Sequence, residues 1–243
     1  AGSATKLVIT TQPSTSAQSG AAFGTQPVIQ LQDAASNNVS QSGVSVTAAP
    51  SGGSLVGTGT VTTNASGQAV FSGVGITATV GSYTLNFTSG SLTGIASNSI
   101  SISAGAATKL FISTQPSSSA QSGLAFGTQP VVQLRDAANN NVSQSGVNVT
   151  VAPSGGSLVG SATVATNASG QAVFSGVGIS GTVGSYTVNF TSGSLTGATS
   201  NSISLTPGNA TQLVFVTQPS NTNATRPSRP RFRWPSRTPL ETP

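Results

Sequence analysis

The chain has 243 residues, of which only 5% are charged, and it contains no Cys and no His. These two absences exclude disulfide bonds, thiol chemistry, zinc sites built on Cys or His, and the usual pairing of a nucleophile with a His base. The longest apolar runs are far below the roughly 18 residues that a membrane-spanning helix needs, so no such helix is predicted.

A repeat of 103 residues organises the sequence. The segment ATKLVITTQP at residues 4–13 returns as ATKLFISTQP at 107–116 and as ATQLVFVTQP at 210–219. Residues 4–106 align without a gap on residues 107–209, with 82 of 103 positions identical. A fixed period indicates tandem units, and each unit is long enough to bury its own core. We therefore expect one repeat at 1–106, a second at 107–209, the first strand of a truncated third repeat at 210–225, and a basic tail at 226–243.

Alternating apolar and polar residues predict short β-strands in each unit. Turn-forming segments rich in Ser, Gly, Asn and Asp separate them, such as Pro13–Gly20 and Asp33–Asn38. The predicted strands of the first unit are Leu7–Thr11, Val28–Asp33, Val44–Ala48, a looser strand within Ser54–Thr63, Gln68–Val74, a regular strand that starts at Gly81, and a closing strand around Ile100 and Ile102. About seven strands without any helical period predict an all-β fold of tandem immunoglobulin-like antiparallel β-sandwiches, joined end to end by short linkers.

Four aromatic residues are predicted to be structural. In the strand that starts at Gly81, Tyr83, Leu85 and Phe87 alternate with polar residues, and Tyr186 and Phe190 occupy the matching positions of the second unit. A Tyr at this place in an Ig-like sandwich often turns its hydroxyl back to hydrogen-bond the preceding turn. We therefore expect Tyr83 and Tyr186 to form such corners, and Phe87 and Phe190 to lie in the cores.

The repeat resembles the bacterial Ig-like domains of the invasin/intimin type (the Big families). The motifs that carry the resemblance are Val28–Asp33 followed by Asn38 and Val39, the turn from Thr63 to Phe71, and the strand from Gly81 to Phe87, with their copies in the second unit. It covers residues 4–209. The resemblance implies an Ig-like sandwich in a rigid spacer or adhesin stalk on a bacterial surface. It transfers no binding site, because such families share a sandwich and differ in what they bind.

The third copy of the opening segment ends in a change of composition. Its apolar residues Leu213, Val214, Phe215 and Val216 could add as a strand to an open sheet edge in a neighbouring chain. Beyond Arg226 the sequence becomes rich in Pro and Arg, and Arg229, Arg231, Arg233 and Trp234 are candidate contacts to a polyanion. The favoured interpretation is that this tail is non-native, from a reading-frame slip or an artificial end inside a longer repeat gene. Nucleic acid is a disfavoured partner.

Residues able to support catalysis are scarce. Each repeat has a single acid, Asp33 or Asp136, so no carboxylate pair is available for glycoside hydrolysis. Ser and Thr lack a general base to activate them. We expect no enzymatic activity, no cofactor and no metal. A Lys–Asn isopeptide staple, Lys6 with Asn98 and Lys109 with Asn201, is a weaker hypothesis because the third copy has Gln212 in place of the Lys.

The sequence thus favours a non-enzymatic extracellular stalk or adhesin segment on a bacterial surface, with neighbouring repeats of a longer array as partners. Two other hypotheses remain open. One is a module that binds a surface glycan or a protein receptor. The other is a filament subunit that self-associates by strand addition through residues 210–219.

Overall fold

The computed structural model describes residues 2–210, 212–214 and 216–217. The chain divides into two units, Ala1–Gly208 and Asn209–Pro243. Every regular element of the described residues is a β-strand, and all of these strands lie in the first unit. The predicted all-β fold of tandem Ig-like sandwiches is confirmed. No helix long and apolar enough to cross a membrane occurs in the described part of the chain.

Each repeat contributes twelve short strands. Those of the first repeat are β1 (Lys6–Thr11), β2 (Ser16–Gln18), β3 (Val28–Gln32), β4 (Ser45–Pro50), β5 (Ser54–Val56), β6 (Thr60–Thr62), β7 (Gln68–Val70), β8 (Gly75–Thr77), β9 (Gly81–Tyr83), β10 (Leu85–Ser89), β11 (Leu92–Ala96) and β12 (Ile100–Ser103). Those of the second are β13 (Lys109–Thr114), β14 (Ser119–Gln121), β15 (Val131–Arg135), β16 (Asn148–Pro153), β17 (Ser157–Val159), β18 (Thr163–Ala165), β19 (Gln171–Val173), β20 (Gly178–Ser180), β21 (Gly184–Tyr186), β22 (Val188–Thr191), β23 (Ala198–Thr199) and β24 (Ile203–Thr206).

The two repeats share one strand arrangement. In the first, the sheets run β6-β4-β10-β11-β1-β3-β7, β2-β12-β9 and β5-β8. In the second, the long sheet appears as two sheets, β18-β16-β22-β23 and β13-β15-β19, beside β14-β24-β21 and β17-β20. The difference is small, because the parallel pairing of Lys6 with Thr93 that joins β1 to β11 persists as an isolated bridge between Lys109 and Thr196.

Pairing is mostly antiparallel, with exceptions that the sequence did not predict. The segment Pro13–Gly20, interpreted as a turn, contains β2, which pairs in parallel with β12. Its copy β14 pairs in parallel with β24. A strand of three residues has too few positions to show an alternation, so its pairing is visible only in the folded chain.

The strand predicted to run on from Gly81 is broken at Thr84. The segment before the break, β9, pairs with β12, whereas β10 pairs with β4 and β11. Alternation continues through the break, with Leu85 and Phe87 buried and Asn86 and Thr88 exposed. The chain therefore passes from one sheet to another without changing the face on which its apolar residues lie.

Each repeat has its own hydrophobic core. Buried residues from β1, β3, β4, β7, β8, β10 and β12 meet in the first repeat, and the corresponding strands form a second cluster in the other. At the centre of the first core, the rings of Phe71 and Phe87 lie 5.4 Å apart at 57°. Phe174 and Phe190 repeat this contact at 5.2 Å and 56°. Because Phe71 follows β7, an edge strand of the long sheet, and Phe87 belongs to β10, near its other edge, this ring pair packs distant parts of that sheet against each other.

The strand predicted within residues 210–219 is not formed among the described residues of that segment. Leu213, Val214 and Val216 are exposed and lie in no strand. A strand needs a partner for its backbone N–H and C=O groups. Phe215 lies outside the described residues.

Candidate functional site

The turn after β15 is held by the carboxylate of Asp136. This carboxylate accepts hydrogen bonds from the backbone N–H of Asn140 at 2.8 Å and from the Asn140 side-chain amide at 2.8 Å. Asn139 adopts φ of +69° in the turn, a conformation that Asn tolerates better than most residues. The fixed turn aims the amide of Asn140 in one direction.

The amide of Asn140 joins the two repeats. Its Nδ2 donates to the carbonyl oxygen of Ala78 at 2.9 Å, and its Oδ1 accepts from the backbone N–H of Val80 at 2.8 Å. Ala78 and Val80 lie between β8 and β9 of the first repeat, so one side chain of the second repeat binds a donor and an acceptor of the first. Asn140 is only 8% exposed. Because buried hydrogen bonds are shielded from competing water, they fix the relative position of the groups that they join.

The linker between the repeats is fixed from both sides. The backbone N–H of Gly105 donates to Asp136 Oδ2 at 2.8 Å. A Cβ at Gly105 would lie 2.2 Å from the carbonyl oxygen of Ser19, so only glycine fits there. The side chain of Ser19 in turn accepts from the backbone N–H of Ala78 at 3.1 Å. Thus the linker, the turn of the second repeat and the 78–80 loop of the first form one hydrogen-bonded junction.

The first repeat carries the same turn at its own start. Asp33 accepts from the N–H of Gly2 at 2.8 Å, from the N–H of Asn37 at 2.9 Å and from the Asn37 side chain at 3.1 Å. Ser36 takes the positive φ, at +66°. Gly2, Asp33 and Asn37 are the copies of Gly105, Asp136 and Asn140, each 103 residues earlier.

Hydrogen bonds favour the charged form of both carboxylates. The backbone N–H of Gly2, followed by the backbone and side chain of Asn37, lowers the pKa of Asp33 to about 2. Burial raises the pKa of Asp136, but the hydrogen bonds from the Asn140 side chain and the Gly105 N–H outweigh burial and leave it below its usual value. Both turns therefore hold an ionised carboxylate at neutral pH.

Two clefts flank the junction. One, of about 410 Å³, is lined by residues that include Ser19, Thr77 and Asp136. The other, of about 470 Å³, is lined by the 103–106 linker and residues 141–144. Asp136 is the one charged residue among those that line them, and its carboxylate is already occupied by the bonds that hold the turn. The clefts therefore offer a charged ligand no free ionic partner.

The structure places the predicted aromatic residues as follows. The hydroxyl of Tyr83 donates to the carbonyl oxygen of Thr79 at 2.9 Å, and that of Tyr186 donates to Thr182 at 2.9 Å. Phe87 and Phe190 are fully buried. These four residues stabilise the two sandwiches separately and do not meet in one site.

The other predicted sites lie apart from the junction. Arg229, Arg231, Arg233 and Trp234 fall outside the described residues. The Lys6 ammonium donates to Ser36 Oγ at 2.7 Å on the surface, and Asn98 and Asn201 are exposed. An isopeptide staple requires a buried, desolvated Lys, so the exposed hydrogen bond of Lys6 is evidence against a staple in the first repeat. No group of three or more His, Cys, Asp or Glu residues lies together in the described part of the chain.

Sequence reasoning missed two sets of residues. The segment Asp33–Asn38 was interpreted only as a turn, and Asp136 and Asn140 lie in its copy in the second repeat. The recurrence of a scarce acid at one place in each repeat was the signal that could have indicated a further role. The side chain of Gln30, in the middle of β3, is buried and donates to the carbonyl oxygens of Leu31, Ser66 and Gly67 at 3.1–3.2 Å. Gln133 repeats these bonds in the second repeat.

Comparison with known proteins gives structural matches alone. No family model matches the chain, and no curated protein matches it by sequence. Among solved structures, the chain is similar to invasin, a bacterial integrin-binding protein, at 15% identity and a TM-score of 0.35, over 81% of this chain and 39% of that one. It is similar to the D00–D0 domain of intimin at 11% identity and 0.39, over 83% and 98%, and to the β-glucuronidase of Parabacteroides merdae at 15% and 0.31, over 84% and 25%.

These likenesses do not decide the function. All of them lie under 25% identity and well under a TM-score of 0.5, and they include both adhesins and an enzyme. The chain spans about two fifths of the invasin chain.

Proposed function

We propose that this chain is a non-enzymatic spacer segment of an extracellular bacterial surface protein, an adhesin stalk in which consecutive Ig-like repeats are held in a fixed relation. The observation that carries the proposal is the Asn140 side chain, which binds both Ala78 O and Val80 N–H across the junction while Asp136 holds its turn. A spacer has to keep its length under thermal motion. A junction with buried, saturated hydrogen bonds meets that need, whereas a flexible linker does not.

The composition supports the same function. Neither His nor Cys occurs in the sequence, and only three residues are acidic. The buried polar side chains of Asp136 and Asn140 form the hydrogen bonds that join the repeats. This composition supports a structural role.

A distance measurement tests the proposal. Since the chain has no Cys, Asn98→Cys and Asn201→Cys introduce two unique labelling positions, both exposed and 103 residues apart. With spin labels attached at both positions, pulsed electron–electron double resonance should give one narrow distribution of the distance between the labels. Adding Asn140→Ala should broaden it, while Asn64→Ala, which removes turn bonds inside the first repeat alone, should not. A broad distribution in the parent chain would contradict a fixed spacer.

A second test asks whether the chain binds a surface glycan or a protein receptor. The labelled or unlabelled chain is applied to a glycan array and to cultured host cells. A spacer binds neither, and saturable binding that survives in excess unrelated protein would favour a receptor- or carbohydrate-binding module instead.

Self-association by strand addition is a second candidate function, favoured by the exposure of Leu213, Val214 and Val216. Three large apolar side chains in an unpaired segment fit a strand that completes its hydrogen bonds on another sheet edge. Sedimentation of the full chain and of a chain ending at Gly208 tests it. Identical monomers in both cases would remove this candidate, and assemblies of the full chain alone would support it.

A further inference from the structure

We propose that the start of the first repeat, formed by Gly2, Asp33 and Asn37, is a docking surface for the C-terminal end of another repeat of this type carried in the same chain. We name these three residues the entry face. The inference rests on the proposed spacer function and adds to it a specific surface and the chemistry of its partner: a loop that presents a backbone carbonyl oxygen and, two residues later, a backbone N–H.

The entry face already has the geometry of its copy at the junction. Gly2 donates to Asp33 Oδ2 at 2.8 Å, as Gly105 does to Asp136. The Asn37 amide donates to Asp33 Oδ2, as Asn140 does to Asp136. The turn thus aims Asn37 without any help from a partner, so that docking requires no rearrangement of the turn.

The side chains of Asn37 and Asn140 differ in what they contact. Asn140 is buried by the 78–80 loop, and its Oδ1 and Nδ2 both bond to that loop. Asn37 is exposed, and within the described residues its side chain makes one hydrogen bond, to Asp33. An oriented amide with an open acceptor and an open donor matches the pair of groups that its copy binds.

The second repeat carries a loop that is complementary to the entry face. Gly181 and Val183 are the copies of Ala78 and Val80. Val183 is 66% exposed and Val80 61%, because the junction contacts the backbone of this loop and not the Val side chain. Ser122, the copy of Ser19, accepts from the Gly181 N–H at 3.0 Å and donates to the Gly181 carbonyl oxygen at 2.8 Å. The carbonyl oxygen has a second lone pair for a docking donor. A Cβ at Gly208 would lie 2.8 Å from Ser122 O, a looser form of the 2.2 Å approach at Gly105 and Ser19. The repeat therefore has a donor–acceptor end and an amide end that fit each other.

The small size of the contact favours a partner in the same chain over one in another chain. The recurring contact consists of a few hydrogen bonds, and the Val80 side chain stays 61% exposed in it. Association of two free chains costs more translational and rotational entropy than such a contact returns. A covalent linker removes most of that cost by raising the effective concentration. The entry face is thus suited to a tethered repeat, and two free chains should not dock through it.

The test uses a longer chain. A copy of residues 4–103 is fused directly before Ala1 of the full chain, which reproduces the 103-residue period and keeps Gly2 in the linker. Hydrogen exchange of the Asn37 side-chain amide is followed by NMR in the original and the extended chain. Burial in a docked junction should slow it by about tenfold or more, whereas the exposed side-chain amide of Asn98 should exchange equally fast in both chains.

Three outcomes are informative. Slowed exchange at Asn37 in the extended chain, with no dependence on protein concentration in the original one, supports the proposal. Unchanged exchange at Asn37 in an extended chain whose added repeat gives a folded spectrum overturns it. Slowed exchange in the original chain on raising its concentration also overturns it, because the partner would then be a second molecule.

Failure of this inference can be told from failure of the spacer function. A narrow distance between labels at positions 98 and 201 together with an unprotected Asn37 would leave the spacer standing and remove the entry face. A broad distance at those positions would remove the spacer itself, whatever Asn37 does. As a further control, Asn37→Ala in the extended chain should broaden the distance between the added repeat and the first repeat and leave the 98–201 distance narrow.

Discussion

Replacing Asn140 by Ala should uncouple the two repeats. The substitution removes three side-chain hydrogen bonds: to Ala78 O at 2.9 Å, from Val80 N–H at 2.8 Å and to the Asp136 carboxylate at 2.8 Å. At about 1 kcal/mol for each neutral bond and about 1.5 kcal/mol for the bond to a charged acceptor, the expected loss is about 3.5 kcal/mol.

The copy of this residue provides a matched control. Asn37→Ala removes one part-buried side-chain bond, to the Asp33 carboxylate at 3.1 Å, and should cost about 1.5 kcal/mol. The two variants share residue type and turn, so that the difference of about 2 kcal/mol between them measures the two bonds that cross the junction.

Urea denaturation followed by far-UV circular dichroism is a suitable assay. In tandem repeats, stability is the sum of the intrinsic stability of each unit and the coupling between neighbours. Loss of coupling in Asn140→Ala should therefore lower the midpoint and separate one transition into two, whereas Asn37→Ala should keep the shape of the parent curve. Equal losses for the two variants, within about 0.5 kcal/mol, would refute the reasoning and show that water replaces the junction bonds at no cost.

Three further predictions concern single repeats. The pKa of Asp33 in the folded chain, about 2, lies below the value of about 3.9 in an unfolded chain. Its contribution to the free energy of unfolding is therefore complete above about pH 4 and is lost as the pH falls toward 2. The urea midpoint of Asp33→Asn should consequently fall less between pH 5 and pH 2 than that of the parent chain. Phe190→Ala should lower the free energy of unfolding by about 3–5 kcal/mol because the ring is fully buried. Phe111→Ala should lower it by less than about 1 kcal/mol, since that ring is 41% exposed and contacts the Arg135 guanidinium 3.5 Å from its centre. Similar losses of the two variants in thermal melts would contradict the assigned core. Gly67→Ala should destabilise far more than Gly73→Ala, because both have positive φ but a Cβ at Gly67 would lie 1.8 Å from a backbone carbonyl oxygen, whereas nothing lies within 4 Å at Gly73; equal melting temperatures would disprove the close approach.

The sequence predicted strands well where alternation was long enough to detect. β10, with Leu85 and Phe87 inside and Asn86 and Thr88 outside, was predicted from period two, and the structure has the same faces. The three-residue strands β2, β5 and β9 were missed or merged with their neighbours, because three positions contain no measurable period. The buried Gln30 was missed for a different reason: two of its partners, Ser66 and Gly67, are distant in sequence, and a polar residue in a strand is ordinarily assigned to the outer face.

The junction was beyond prediction from local sequence. Asp136 and Asn140 sit in a segment whose composition indicates a turn, and the turn is real. That the same Asn also binds Ala78 and Val80, 62 and 60 residues earlier, follows from where the two sandwiches come together. The exposed copy at Asn37 has identical local chemistry and makes no such contact.

By itself, then, the sequence determined the period of 103 residues, the all-β class and the faces of the longer strands, because repetition and alternation are properties of the order of residues. Only the tertiary structure decided which sheet each short strand joins, and that one of two equivalent Asn side chains is a structural link while the other is an open surface. Hydrogen-bond partners are set by distance in space. Two copies of one turn therefore acquire different roles as soon as only one of them has a neighbour.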